Sequence, residues 1–182
     1  LPISTVEAEG AALLKNENNA LPLASGAKVS LFGHGSVDLM YGGTGSGSVD
    51  TSKAPNLKQA LEAQGITINQ TLWDLYSSDS MMSKYSRMTP ASISDTLEAN
   101  TQYAVNEAPW SALSSAESSF AEYGDAAIVV LSRSGGEGAD LPSGENGTSD
   151  SWISGQEGDG NYLALSAEEI ELLQNLKALK DN

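Results

Sequence analysis

The sequence predicts an α/β fold, a small and mainly parallel sheet flanked by helices, and three observations carry that expectation. Ala126-Ala-Ile-Val-Val-Leu-Ser132 is an unbroken apolar run, which suits a parallel strand buried on both faces. Lys28-Val-Ser-Leu-Phe-Gly33 is a second short strand that ends at glycine. After it come a glycine-rich loop (41–49), a helix over about 56–64 stopped by Gly65, and a third strand at Ile66–Ile68. Strand, loop, helix, strand is the order of a βαβ unit.

The remaining elements follow from local chemistry. Ser4 to Lys15 reads as a helix, with a Ser4–Glu7 capping box and an apolar face of Val6, Ala11, Leu13 and Leu14. Asn16 to Pro22 is a turn-rich break. Thr71 to Tyr76 is a short helix, Ser77 to Pro90 an irregular stretch rich in serine and methionine, and Ser111 to Tyr123 a weakly amphipathic helix. Ser166 to Lys180 closes the chain as a helix with a Ser166–Glu169 capping box. The whole is expected to be a single domain over 1–182, with an irregular insertion at about 77–110. It is expected to be incomplete, because a βαβ progression that stops on a helix lacks its next strand.

Composition limits the function. The chain has 182 residues, 24 acidic and 9 basic, for a formal charge of −15. Such a surface repels phosphate backbones and anionic lipid, so no nucleic acid or membrane partner is expected. No apolar run approaches the roughly 18 residues of a membrane-spanning helix. The first residues lack the basic and apolar regions of a signal peptide. Cysteine is absent and His34 is the single histidine, which removes thiol chemistry and multi-histidine metal sites and argues against a Ser-His-Asp triad. Carboxylates, hydroxyls and glycine-rich loops remain.

Open parallel sheets bind ligands beyond the carboxyl ends of their strands. Two loops lie there in sequence, one after the strand at 28–33 and one after the strand at 126–132. The second reads Ser132-Arg-Ser-Gly-Gly-Glu-Gly-Ala-Asp140. Glycines on both sides of Glu137 let the backbone turn sharply and present one carboxylate. Spacing alone leaves two readings, a presented acid and a solvated loop glutamate. The first loop does not bind a nucleotide by sequence, since Gly43, Gly45 and Gly47 alternate and no Gly-Lys-Ser/Thr occurs.

Five segments in order resemble the second domain of family 3 glycoside hydrolases. They are Glu9-Gly-Ala-Ala-Leu-Leu-Lys-Asn-Glu-Asn-Asn-Ala-Leu-Pro-Leu23, Lys28–Gly33, Gly42-Gly-Thr-Gly-Ser-Gly47, Ala127–Asp140 and Tyr162–Leu173. The resemblance implies an α/β sandwich domain of a β-glucosidase-like enzyme, with Glu137 as acid/base. It implies that a separate (β/α)8-type barrel domain carries the nucleophilic aspartate. It places Gly43, Thr44 and Ser46 in a loop over the sugar. Arg133 reads as a salt bridge that fixes the Glu137 loop or as a substrate contact, and Asp140 as a substrate contact or loop brace. Leu141 stands where members often have arginine. Trp152 is the best placed of Trp73, Trp110 and Trp152 to stack on a sugar face, with core burial the alternative for each. The substrate implied is a carbohydrate, a β-glucoside or related β-glycoside, with no cofactor and no metal. A different reading makes the chain a non-catalytic carbohydrate-binding or interdomain module. Without a nucleophile the 182-residue chain alone is expected to show no hydrolytic turnover; a rate that co-purifies with the chain contradicts that expectation.

Overall fold

The computed structural model describes residues 9–42, 46, 50–87, 105–133 and 164–181. Within them the expected sheet is present. Strand β1 spans Lys28–Phe32, β2 Thr67–Ile68 and β3 Ala126–Val129. They pair in the order β2-β1-β3, all parallel. Val29 lies opposite Ile68 on one side and Ala126 on the other, and Phe32 opposite Val129.

The alternation of β1 divides the core in two. Val29 and Leu31 face a cluster with Ala27, Ile66 and Ile68, which α1 (Leu57–Glu62) covers with Leu57 and Leu61. Phe32 faces the larger cluster. Leu72 and Tyr76 of α2 (Gln70–Tyr76), Met81 of α3 (Asp79–Tyr85), Leu113, Ala116, Phe120 and Leu172 of α4 (Ala167–Asp181) pack there. Trp110 stacks on Phe32 at 6.3 Å between ring centroids, and Trp73 packs half-buried against the first cluster. Both take the core alternative.

Ser30 shares the face of Phe32 and needs polar partners in a buried place. Asn69 supplies one, donating to Ser30 Oγ at 3.0 Å and to Ser119 Oγ at 2.8 Å. Asn69 Oδ1 accepts from Leu72 N at 3.2 Å and so caps α2. One side chain thus joins β1, the start of α2 and the segment before β3. Helix α1 begins with a full capping box between Asn56 and Gln59, a pairing the sequence reading passed over.

Four expectations need correction. Residues 11–16 are not helical; only Glu9 and Gly10 of the expected first helix are helical among the described residues. Its apolar side chains find no partner there, Leu13 being 65% and Leu14 94% exposed, and a short helix without a buried face is marginal. The stretch after Ser77 is not wholly irregular, since Ser78 caps Met81 N at 3.3 Å and α3 follows. Residues 111–123 form two 3₁₀ turns, Trp110–Leu113 and Glu117–Ser119, rather than one helix. Serine bonding to nearby carbonyls competes with the α-helical ladder there, as in Ser119 Oγ to Ala116 O at 2.6 Å. Finally, β3 is half-buried and forms an edge among the described strands, while β1 takes the central place. The first half of the expected opening helix, with the Ser4–Glu7 box, lies outside the described residues.

Replacing Asn69 with alanine removes a cap and strips Ser30 and Ser119 of a buried donor. A loss of about 2–3 kcal/mol is expected, read as a lower urea midpoint in equilibrium unfolding.

Candidate functional site

The chain holds two arginines, Arg87 and Arg133, and both lie beyond the carboxyl ends of the central strands, each bonded to a carboxylate. The turn after β1 is built on glycine. Gly33 has φ +84°, and a Cβ there would meet Val130 O at 2.8 Å. A Cβ on Gly35 would meet the same oxygen at 2.8 Å. The His34–Ser36 turn therefore lies directly against the end of β3, and neither glycine tolerates a side chain without displacing that strand.

Buried polar groups hold this turn. Gly33 N donates to the Tyr76 hydroxyl at 3.2 Å, and His34 N donates to Glu107 Oε2 at 2.7 Å. Burial pushes the Glu107 carboxyl above its ordinary value of 4.5, and the nearby charge of Glu169 adds to this; hydrogen bonds from His34 N and Ala108 N oppose it in part. Burial likewise raises the Tyr76 phenol.

On the other side of the turn His34 is buried, with Nε2 3.2 Å from Asp38 Oδ2. Arg87 donates from Nη2 to Asp38 Oδ1 at 2.8 Å and from Nη1 to the Asp38 carbonyl. Burial raises the Asp38 carboxyl, but the His34 hydrogen bond and the Arg87 charge outweigh it and hold the group below its ordinary value. His34 takes the place of a structural loop histidine. Tyr41 then fixes the base of the glycine-rich loop by donating to Pro55 O at 2.9 Å. Within that loop Ser46 is exposed, while Gly43 and Thr44 lie outside the described residues.

After β3 the polar contacts are stronger. Arg133 donates from Nη1 to Glu169 Oε1 at 2.8 Å and from Nη2 to Glu169 Oε2 at 2.7 Å, a bidentate fork. Nη2 also donates to Ala164 O at 2.6 Å, and Nη1 to Ser132 O at 3.0 Å. Glu169 is 1% exposed. It is also the second half of the expected capping box, accepting from Ser166 N at 2.8 Å while Ser166 Oγ accepts from Glu169 N at 3.2 Å. Arg133 precedes the 134–163 segment and Ala164 follows it, so one guanidinium ties together both ends of the segment that contains Glu137. The salt-bridge reading of Arg133 is what the geometry displays. Glu137, Asp140 and Trp152 lie outside the described residues.

Glu107, Tyr76, Asp38 and Arg87 escaped the sequence reading. Glu107 had a signal, an acid between Val105 and the apolar Ala108-Pro-Trp110 in a stretch otherwise read as insertion. Among the described residues no three or more His, Cys, Asp or Glu cluster to hold a metal, and no helix is long and apolar enough to cross a membrane.

Fold and site together define an α/β domain in which ion pairs, Arg87–Asp38 and Arg133–Glu169, lie beyond the carboxyl ends of two adjacent parallel strands. Comparison with known proteins gives the family. Residues 11–182 match the glycosyl hydrolase family 3 C-terminal domain, and the chain belongs to that family. It is 35% identical over 138 residues to beta-glucosidase A of Butyrivibrio fibrisolvens, covering 72% of this chain and 14% of that protein. Its fold matches that of a solved beta-glucosidase from Paenibacillus barengoltzii with a TM-score of 0.64 at 24% identity, over 96% of this chain and 16% of the other. The chain thus spans about one-seventh of the length of the curated relative.

Two outcomes test the site's electrostatics. Arg133→Met leaves the Glu169 carboxylate buried without its fork, and a loss of about 3–5 kcal/mol in chemical unfolding is expected, with much of it recovered in Arg133→Met/Glu169→Leu. Glu107 has a folded-state pKa above its unfolded value, so the stability it contributes is fully present below about 4.5 and is lost as pH rises through the folded value. Urea midpoints of the wild-type chain should therefore fall relative to those of Glu107→Gln as pH rises from 4.5; parallel profiles would contradict the assignment.

Proposed function

We propose that this chain supplies the acid/base carboxylate, Glu137, of a retaining glycosidase that cleaves β-glucosides or related β-glycosides. The observation that carries the reading is the Arg133 fork. It gathers both ends of the Glu137 segment at the carboxyl end of β3, the edge at which open parallel sheets bind ligands. Membership of the family and the beta-glucosidase names of the similar proteins support the same chemistry.

In this reading the nucleophile is an aspartate of a (β/α)8-type barrel domain in the same, longer protein. Retention requires the two carboxyl groups about 5–5.5 Å apart across the glycosidic bond. The aspartate attacks the anomeric carbon as Glu137 protonates the departing oxygen. Glu137 then takes a proton from water, and the hydroxyl releases the sugar from the enzyme. The acid step needs a proton on Glu137 near neutral pH, which desolvation and the neighbouring aspartate provide when the domains enclose the sugar. Gly43, Thr44 and Ser46 line the sugar from the first loop. Asp140 contacts the substrate or braces the loop, and Trp152 stacks on a sugar face. Arg133, held by Glu169, acts through the loop in preference to touching sugar.

The test is azide rescue. Glu137→Ala in the full-length protein should lose turnover on a dinitrophenyl β-glucoside at the deglycosylation step. Added azide should restore turnover and yield β-glucosyl azide. Wild-type turnover in that variant would make Glu137 a bystander and the chain a binding or interdomain module.

A further inference from the structure

Within that reading, we propose that Glu107 is a positioning residue for the Glu137 loop. Its carboxylate fixes the Gly33–Ser36 turn, against which the end of β3 and therefore Arg133 is seated.

Three contacts connect Glu107 to Arg133. Glu107 Oε2 accepts from His34 N at 2.7 Å and Oε1 from Ala108 N at 3.0 Å. Each oxygen of a buried carboxylate is thus committed to the main chain, on one side to the turn after β1 and on the other to the segment that leads into the Trp110 turn. The second contact is steric. A Cβ at Gly33 would lie 2.8 Å from Val130 O and 3.5 Å from Glu107 Oε2, so turn, strand end and carboxylate converge at one point. The third is the ladder itself. Val130 N donates to Phe32 O at 3.0 Å, and three residues later Arg133 grips Ala164 O and Glu169.

Glu107 is 4% exposed, with both oxygens engaged, so it acts on the reacting groups only through backbone. It differs in this from a carboxylate presented on a loop. A buried acid also costs stability unless its partners are fully supplied, and a simple amide or apolar residue would fill the space at lower cost. Its place between the turn after β1 and the segment leading into the Trp110 turn fits a role in geometry. If the turn relaxes, Val130 loses its seat and the Arg133 fork shifts, and the proposed acid/base loses the support of its neighbour. A displacement of about 1 Å at such a group is enough to cost up to a hundredfold in rate.

Loss of proton donation has a signature that loss of folded protein lacks. A dinitrophenolate leaves without a proton, whereas an alkoxide or unsubstituted phenoxide needs one. In the full-length protein, Glu107→Gln should therefore keep kcat/KM for a dinitrophenyl β-glucoside within roughly threefold of wild type. For phenyl or alkyl β-glucosides the loss should be about tenfold to a hundredfold, with KM little changed. Glu107→Asp retains the charge but withdraws the acceptor by a methylene, and should show the same gradient if the glutamine variant does not fold. Equal losses for every leaving group, or no loss, would overturn the proposal. Glu137→Ala assayed alongside separates the two ideas. If azide rescues Glu137→Ala while the Glu107 gradient is flat, only the positioning role falls. If azide does not rescue it, the acid/base reading falls and takes this inference with it.

Discussion

The arrangement of the site depends on the Arg133–Glu169 ion pair. Thirty residues, 134–163, separate Arg133 from Ala164 in sequence. Bringing together two points so far apart in sequence carries an entropic cost that grows slowly with their separation, and the contact between them must hold both. The guanidinium does so with four hydrogen bonds to protein oxygens, two of them to Glu169 and one to the Ala164 carbonyl. Glu169 in turn is held by the Ser166 capping box at the start of α4 and by burial. The same carboxylate therefore starts a helix, neutralises an arginine and fixes the neck of the loop. Lysine would not replace arginine, since a point charge lacks the planar fork that meets both carboxylate oxygens.

The rest of the local electrostatics fits a strongly acidic chain. With a formal charge of −15, cations are scarce, and each of the two arginines is paired with a carboxylate, half-buried Asp38 or buried Glu169. Arg87 neutralises Asp38 beside His34, and Arg133 neutralises Glu169. Both oxygens of Glu107 accept from main-chain N–H groups, of His34 and Ala108; burial pushes its carboxyl upward, while the His34 hydrogen bond and the Arg87 charge hold Asp38 down. Carboxyls with opposed shifts on the two sides of one glycine turn are the kind of contrast that environment, rather than residue type, creates.

How much of this was legible in sequence follows from the range of each interaction. The β1 and β3 runs, the helix before Gly65 and the Ser166–Glu169 box are local patterns, and each appeared where expected. The opening helix failed because its apolar face has no partner among the described residues, which periodicity cannot register. The 110–120 segment failed because serine side chains divert the backbone into 3₁₀ turns around Leu113, Ala116 and Phe120. The 126–132 run was expected to be buried on both faces, yet β3 is half-buried, and β1 holds the central place because Asn69 and the Tyr123 carbonyl satisfy Ser30 and allow its burial. At the site, Arg133 was noticed as a neighbour of the Glu137 motif, with a salt bridge and a substrate contact as its two readings, and a salt bridge to Glu169 is present. Glu107 was not noticed, because its bond to His34 spans 73 residues and no local pattern announces such a contact.

The central claim is that the Arg133 clamp serves the Glu137 carboxyl. A double-mutant cycle on kcat/KM in the full-length protein tests it most directly, combining Arg133→Met with Glu137→Gln and using a phenyl β-glucoside that requires acid assistance. If Arg133 works through Glu137, the two losses are strongly non-additive and the double variant resembles Glu137→Gln alone. Additive losses would contradict the account, because Arg133 would then be contributing to catalysis or folding independently of the acid/base.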